Sequence, residues 1–183
     1  GRRRLLRYSR CVGAAVLVLL APEFESGATA APASLATPLA LRSLSGQFVV
    51  AAPADSTTST AVPTNSAWVV LGPPTLLATC ERVKQSLLRE LAVPDLWRGR
   101  IYVMINPGLT NDQPPLIGAQ RFAEGWQYRL DVPAQTSRLK LVRGLVDVLL
   151  LEIANRGTGT RSAEIPLWLL EGMTLHLSRS SLT

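Results

Sequence analysis

Glu152, Glu171 and the single histidine, His176, are the residues of this chain best placed to do chemistry. All three sit in apolar helical contexts, LLLEIANRG around the first and PLWLLEGMTLHL around the other two. Two carboxylates can act as acid and base on a glycosidic bond when they stand about 5–10 Å apart across a sugar cleft. No aromatic platform accompanies this pair. A triad of His176, Asp147 and a serine would need a nucleophile-elbow sequence, and none is present. Gly-rich phosphate loops and calcium-loop patterns are absent too. Of the two cysteines, Cys11 lies in the leader region, so Cys80 can form neither an intramolecular disulfide nor a cysteine zinc site. Its place on an apolar helix face marks it as a small core residue.

Metal-assisted hydrolysis makes a different demand. Two histidines at i and i+4 on one helix reach a single ion, and a third protein ligand leaves the fourth position to a water whose pKa falls to about 7. The frame for this is visible: Leu151-Glu152-Ile153-Ala154-Asn155 on one helix, a short loop, then Pro166-Leu167-Trp168-Leu169-Leu170-Glu171-Gly172 opening the next. That layout resembles the glutamate-zincin metallopeptidases, particularly the peptidase MA-like families of exported bacterial proteins. The resemblance covers the last 45 residues or so and, in outline, the small sheet before them. It implies that Glu152 stands at the catalytic base, Leu151 and Asn155 at the two histidine ligands, and Glu171 at the third ligand. Leucine cannot ligate, and a neutral amide oxygen is a poor zinc ligand. His176, five residues past Glu171, projects off its face and cannot replace the missing pair. The expectation is a vestigial base, vestigial ligand positions, and no metal or other cofactor.

Each residue also has a plainer reading. Arg156 follows Glu152 at i+4 in the favourable acid-before-base order, so the two read as a salt bridge that lowers the cost of a charge near a core helix. Glu171 fits a surface residue as well as a relic of a metal site. Trp168 reads as a core aromatic.

The elements that must carry these residues follow from periodicity. Residues 46–51 and 68–71 read as short strands separated by a polar loop at 54–66. After Gly72-Pro73-Pro74, a helix to about Leu91 carries Leu76, Cys80, Val83, Leu87 and Leu91 on one stripe, and Pro94 ends it. Residues 100–106 alternate as a strand. Residues 118–122 and 126–131 form a hairpin whose second arm alternates Trp126, Tyr128 and Leu130 with polar partners, as on an antiparallel edge. Residues 134–156 form a helix apolar nearly all round, hence central and buried. Gly157-Thr158-Gly159 stops it, and Pro166 opens the last helix. These elements predict an α+β domain. A small mixed or antiparallel sheet packs on one helix, followed by a buried central helix and a second helix in a zincin-like arrangement.

Composition sets the remaining bounds. The formal charge of +6 and pI near 10.1 suggest nucleic acid at first sight. Residues 1–30, however, hold five arginines and two glutamates, which is half of that charge. No basic stripe with interleaved aromatics remains, so nucleic acid is not an expected partner. RRRLLRYSR, the apolar CVGAAVLVLLA and Ala28-Thr29-Ala30 read as a signal peptide over residues 1–30. Its apolar stretch is too short for the ~20 residues of a membrane span, and no span is expected beyond the signal itself. Residues 31–45 read as a flexible linker rich in Ala, Pro, Ser and Thr, and residues 46–183 as the domain. The chain opens on Gly rather than Met, and residues 179–183 carry no helix stop signal, so the piece is expected to begin inside its reading frame and to end early.

These readings converge on an exported, non-catalytic domain with a binding or structural role in the periplasm or envelope. Its expected partner is an extended peptide or an envelope protein. The alternative is a hydrolase that uses Glu152 without a standard zinc site, or one completed by ligands outside this piece.

Overall fold

Among the described residues, seven strands and three helices follow in the order β1 (Leu39–Arg42), β2 (Phe48–Ala52), β3 (Trp68–Val70), α1 (Pro73–Glu90), β4 (Arg100–Ile105), β5 (Leu116–Phe122), β6 (Gly125–Val132), β7 (Gln135–Ser137), α2 (Arg138–Asn155) and α3 (Leu167–Ser180). This computed structural model describes residues 39–53, 68–157 and 159–180. The signal peptide expected at 1–30, the polar loop expected at 54–66 and Thr158 lie outside the described residues. The protein is α+β, with a five-stranded mixed sheet in the order β1-β2-β4-β6-β5 and a two-stranded sheet of β3 and β7.

The sheet is parallel in its middle and antiparallel at both ends: β2, β4 and β6 run parallel, while β1 and β5 run antiparallel to their neighbours. Alternation along β4 buries Ile101, Val103 and Ile105 on one face and leaves Tyr102 and Met104 on the other. The same alternation along β6 buries Tyr128, Leu130 and Val132. All helical packing falls on that buried face. Helix α1 covers β1 and β2, α2 covers β6 and part of β5, and α3 packs on α2 and α1. Leu76, Cys80, Val83 and Leu87 of α1 meet Leu145, Val146 and Leu149 of α2 in one core with the sheet. Among the described residues no helix covers the opposite face, and none is long and apolar enough to cross a membrane.

Four local readings of the sequence differ from the structure. Leu39–Arg42, placed in the flexible linker, forms edge strand β1, because Leu41 pairs with Val50. Residues 134–137, placed in the central helix, precede it instead: Gln135–Ser137 extend as β7 and pair with β3. The helix begins only after Ser137, whose hydroxyl caps the Lys140 N–H at 3.3 Å. Strand β6 is not an edge but lies between β4 and β5; its wet face reflects the helix-free side of the sheet. Trp168, expected in the core, is 75% exposed. The inward stripe of α3 is Leu170, Thr174 and Leu177, and Trp168 sits two positions before it, on the far side of the turn.

Candidate functional site

The geometry around Glu152 starts with the segment that leads from α1 into β4. Helix α1 ends with Ala92 in the left-handed region (φ 50) and a Val93 N–H to Leu88 carbonyl bond, which turns the chain sharply. Lys84, itself buried, holds the returning chain by its ammonium group, 3.0 Å from Asp95 and 3.3 Å from Glu81. Trp97 adds a bond from its indole N–H to the Ser45 carbonyl. These ties bring residues 98 and 99 against the last turns of α2.

There the Glu152 side chain, 1% exposed, accepts from four donor groups. Its Oε1 takes the main-chain N–H of Arg98 at 2.8 Å and of Gly99 at 3.2 Å. Arg156 donates through Nη2 to Oε2 at 2.8 Å and through Nε to both oxygens. Arg156 also donates to the Pro94 carbonyl, and Arg98 to the Arg156 carbonyl. The carboxylate thus fastens the loop before β4 to the end of α2, with its lone pairs taken up. Charge-assisted bonds of this kind are what allow a carboxylate to be buried.

Asn155 does the same for the following loop. Its Oδ1 accepts the Ala163 N–H at 2.7 Å, and its Nδ2 donates to the Ser162 hydroxyl at 3.4 Å. The Leu151 side chain packs, half-buried, against the core. Its carbonyl accepts the Tyr128 hydroxyl at 3.4 Å. Burial pushes the Tyr128 hydroxyl up to about 12, although a bond with Asn155 opposes the shift. The hydroxyl therefore keeps its proton near neutrality and can donate it to the Leu151 carbonyl.

Glu171 stands elsewhere. Its carboxylate pairs with Arg143 of α2 through Nε and Nη2, both at 2.9 Å. Arg143 lies two turns before Leu151, about 12 Å along the helix axis. The structure therefore brings Glu152, Asn155 and the Leu151 carbonyl into one neighbourhood and ties Glu171 to a separate ion pair linking α2 and α3. His176 reaches Glu90 of α1 at 3.1 Å. Asp147, the other residue considered for a triad, is held above the usual carboxylate range by burial, with Arg143 pulling the other way. Among the described residues no three His, Cys, Asp or Glu side chains converge as a metal site would require.

What the residues around Glu152 do form is a pocket of about 190 Å³, whose walls include Arg98, Arg121, Trp126, Tyr128 and Arg156. Sequence reasoning placed Trp126 and Tyr128 on one face of a strand but attached no function to them, and it passed over both Arg98 and Arg121. The only signal was the density of Arg and Trp in Trp97-Arg98-Gly99-Arg100. Its contact with α2, 54 positions away for Arg98, has no local signature.

No family model matches this chain, and neither does any curated protein or solved structure.

Proposed function

We propose that this is an exported, non-catalytic binding domain of zincin-like descent that takes up an extended peptide by adding it as a strand along β5. One observation carries the reading. The seven-residue strand β5 ends the sheet, and nothing among the described residues pairs with its outer edge. Six of its seven residues are exposed; only Ile117 is partly covered. An edge of this length presents unpaired N–H and C=O groups, and proteins that do not use such an edge usually cover or charge it. Main-chain pairing would supply affinity, and alternate side chains would be read on the two faces. Beside the edge, on the helix-free face, Tyr102, Met104 and Phe122 line an apolar hollow of about 430 Å³.

The engagement of Glu152 supports the non-catalytic part. A general base needs a lone pair within reach of a substrate proton, and here Arg156 and two main-chain N–H groups occupy the carboxylate.

Amide hydrogen exchange tests the proposal. An alternating Val-Thr octapeptide added in excess is expected to slow exchange of the outward amides of β5 and to leave those of β1 unchanged. Unaltered exchange along β5 removes the strand-addition reading. Peptide hydrolysis abolished by Glu152→Gln removes the non-catalytic one.

A further inference from the structure

We infer that the pocket between the β5–β6 turn, residues 97–100 and the last turn of α2 receives a carboxylate carried by the peptide that pairs with β5. This rests on the strand-addition reading above.

Position comes first. In the β5–β6 register Ile117 faces Leu130 and Ala119 faces Tyr128, so the odd-numbered residues of β5 look toward the helices. Arg121 continues that series and lines the pocket. A strand laid outside β5 turns every second side chain to this same face. One of them, or the chain end, then meets the pocket mouth.

Charge and hydrogen bonding select what enters. Arg98 and Arg121, which line the pocket, have no carboxylate partner among the described residues, whereas Glu152 is matched by Arg156. Glu124, exposed in the turn, is the other acid on the rim. Arg98 is braced on the Arg156 carbonyl and Arg121 on the Gly159 carbonyl, which holds both guanidinium groups at the wall with donors to spare. Two further donors, the Trp126 indole N–H and the Arg100 Nε–H, are buried without an acceptor among the described residues. Trp126 lines this pocket and, with Arg100, the adjoining hollow of about 130 Å³. Buried donors without partners call for an acceptor, and a guanidinium fork matches a carboxylate in both charge and shape.

Size limits the guest. At about 190 Å³ the pocket falls below the ~300–1,000 Å³ usual for small-molecule sites, so it has room for one acidic group rather than a whole metabolite. That group is either an Asp or Glu side chain or the peptide's C-terminal carboxylate.

Three acetylated Val-Thr octapeptides separate these outcomes: one amidated and neutral, one with a free C-terminus, and one amidated with a central Thr replaced by Asp. Binding to the whole chain is followed by the β5 amides and the Trp126 indole resonance in nitrogen-15 spectra. At least one acidic peptide is expected to bind about tenfold tighter than the neutral one and to shift the indole signal. Which of the two gains the advantage identifies the source of the carboxylate. Trp126→Phe, which keeps an aromatic ring and removes the donor, and Arg98→Gln should each shrink the advantage, with folding checked by circular dichroism. Equal binding of all three peptides overturns the inference and leaves strand addition intact. Failure of every peptide to bind overturns both. An advantage undiminished in both variants places the carboxylate elsewhere and also overturns the inference.

Discussion

Gly99 lies directly against the ring of Tyr128: a methyl group on that glycine would stand 2.4 Å from the tyrosine Cε2 and 3.0 Å from the Trp126 carbonyl oxygen. Tyr128 is fully buried and cannot swing aside. The same glycine donates its N–H to Glu152. Absence of a side chain at residue 99 is therefore what lets the loop before β4 come close enough to meet the central helix. Gly99→Ala should lower stability by about 1–3 kcal/mol through overpacking, read as a lower denaturant midpoint. Tyr128→Phe in that background should not restore it, because the clash is with a ring carbon and not the hydroxyl. An unchanged midpoint for Gly99→Ala would show that the loop gives way freely.

Glu152 and Arg156 should behave as a coupled structural pair. Glu152→Ala leaves a guanidinium and two main-chain donors without their acceptor, at a cost of roughly 3–5 kcal/mol. Arg156→Ala should cost somewhat less, because the Arg98 and Gly99 N–H groups still satisfy the carboxylate. The double variant should lose clearly less than the two single losses combined. Strict additivity in urea melts would mean that the pair does not interact.

Asn155 is predicted to act on one loop rather than on the whole fold. Asn155→Leu removes the acceptor of the Ala163 N–H and should cost about 1–2 kcal/mol. Exchange of the Ala163 amide should rise more than that of core amides in α2. Asn155→Asp keeps the acceptor and should retain most of the protection. Protection at Ala163 that is equal in all three proteins would remove Asn155 from this role.

Glu81 supplies a pH dependence of known sign. Burial raises its carboxyl, but bonds from the Ser45 and Ser43 hydroxyls and the Lys84 ammonium outweigh that, leaving it below its ordinary 4.5. A folded value below the unfolded one stabilises the protein fully above about pH 4.5, and the contribution fades as pH falls toward the lowered value. Asp147, raised by burial, contributes with the opposite sign. The useful measurement is therefore the stability gap between wild type and Glu81→Gln. That gap should be constant near neutrality and shrink below about pH 4.5. A gap independent of pH would contradict the assignment.

Local pattern alone determined most of the helices and the hairpin. The stripe through Leu76, Cys80, Val83 and Leu87 announces α1, and the nearly all-round apolar surface of 138–155 announces a buried α2. The salt bridge of Glu152 with Arg156 is equally local, since residues four apart share a helix face. Periodicity, however, states which face is apolar and not what that face meets. Residues 135–137 became a strand because β3, far back in the chain, offered a pairing partner. Leu39–Arg42 became an edge for the same reason. Trp168 stayed in solvent because α3 needed only its Leu170, Thr174 and Leu177 stripe to cover its neighbours. Glu152 and Asn155, aligned by sequence with a catalytic frame, took their partners from residues 98–99 and 162–163, contacts that only the closing of the chain on itself could make. The pocket beside them is tertiary in the same sense. Arg121 and Trp126 face each other across the local β5–β6 hairpin, but nothing in their spacing foretells Arg98, which only the fold brings to them.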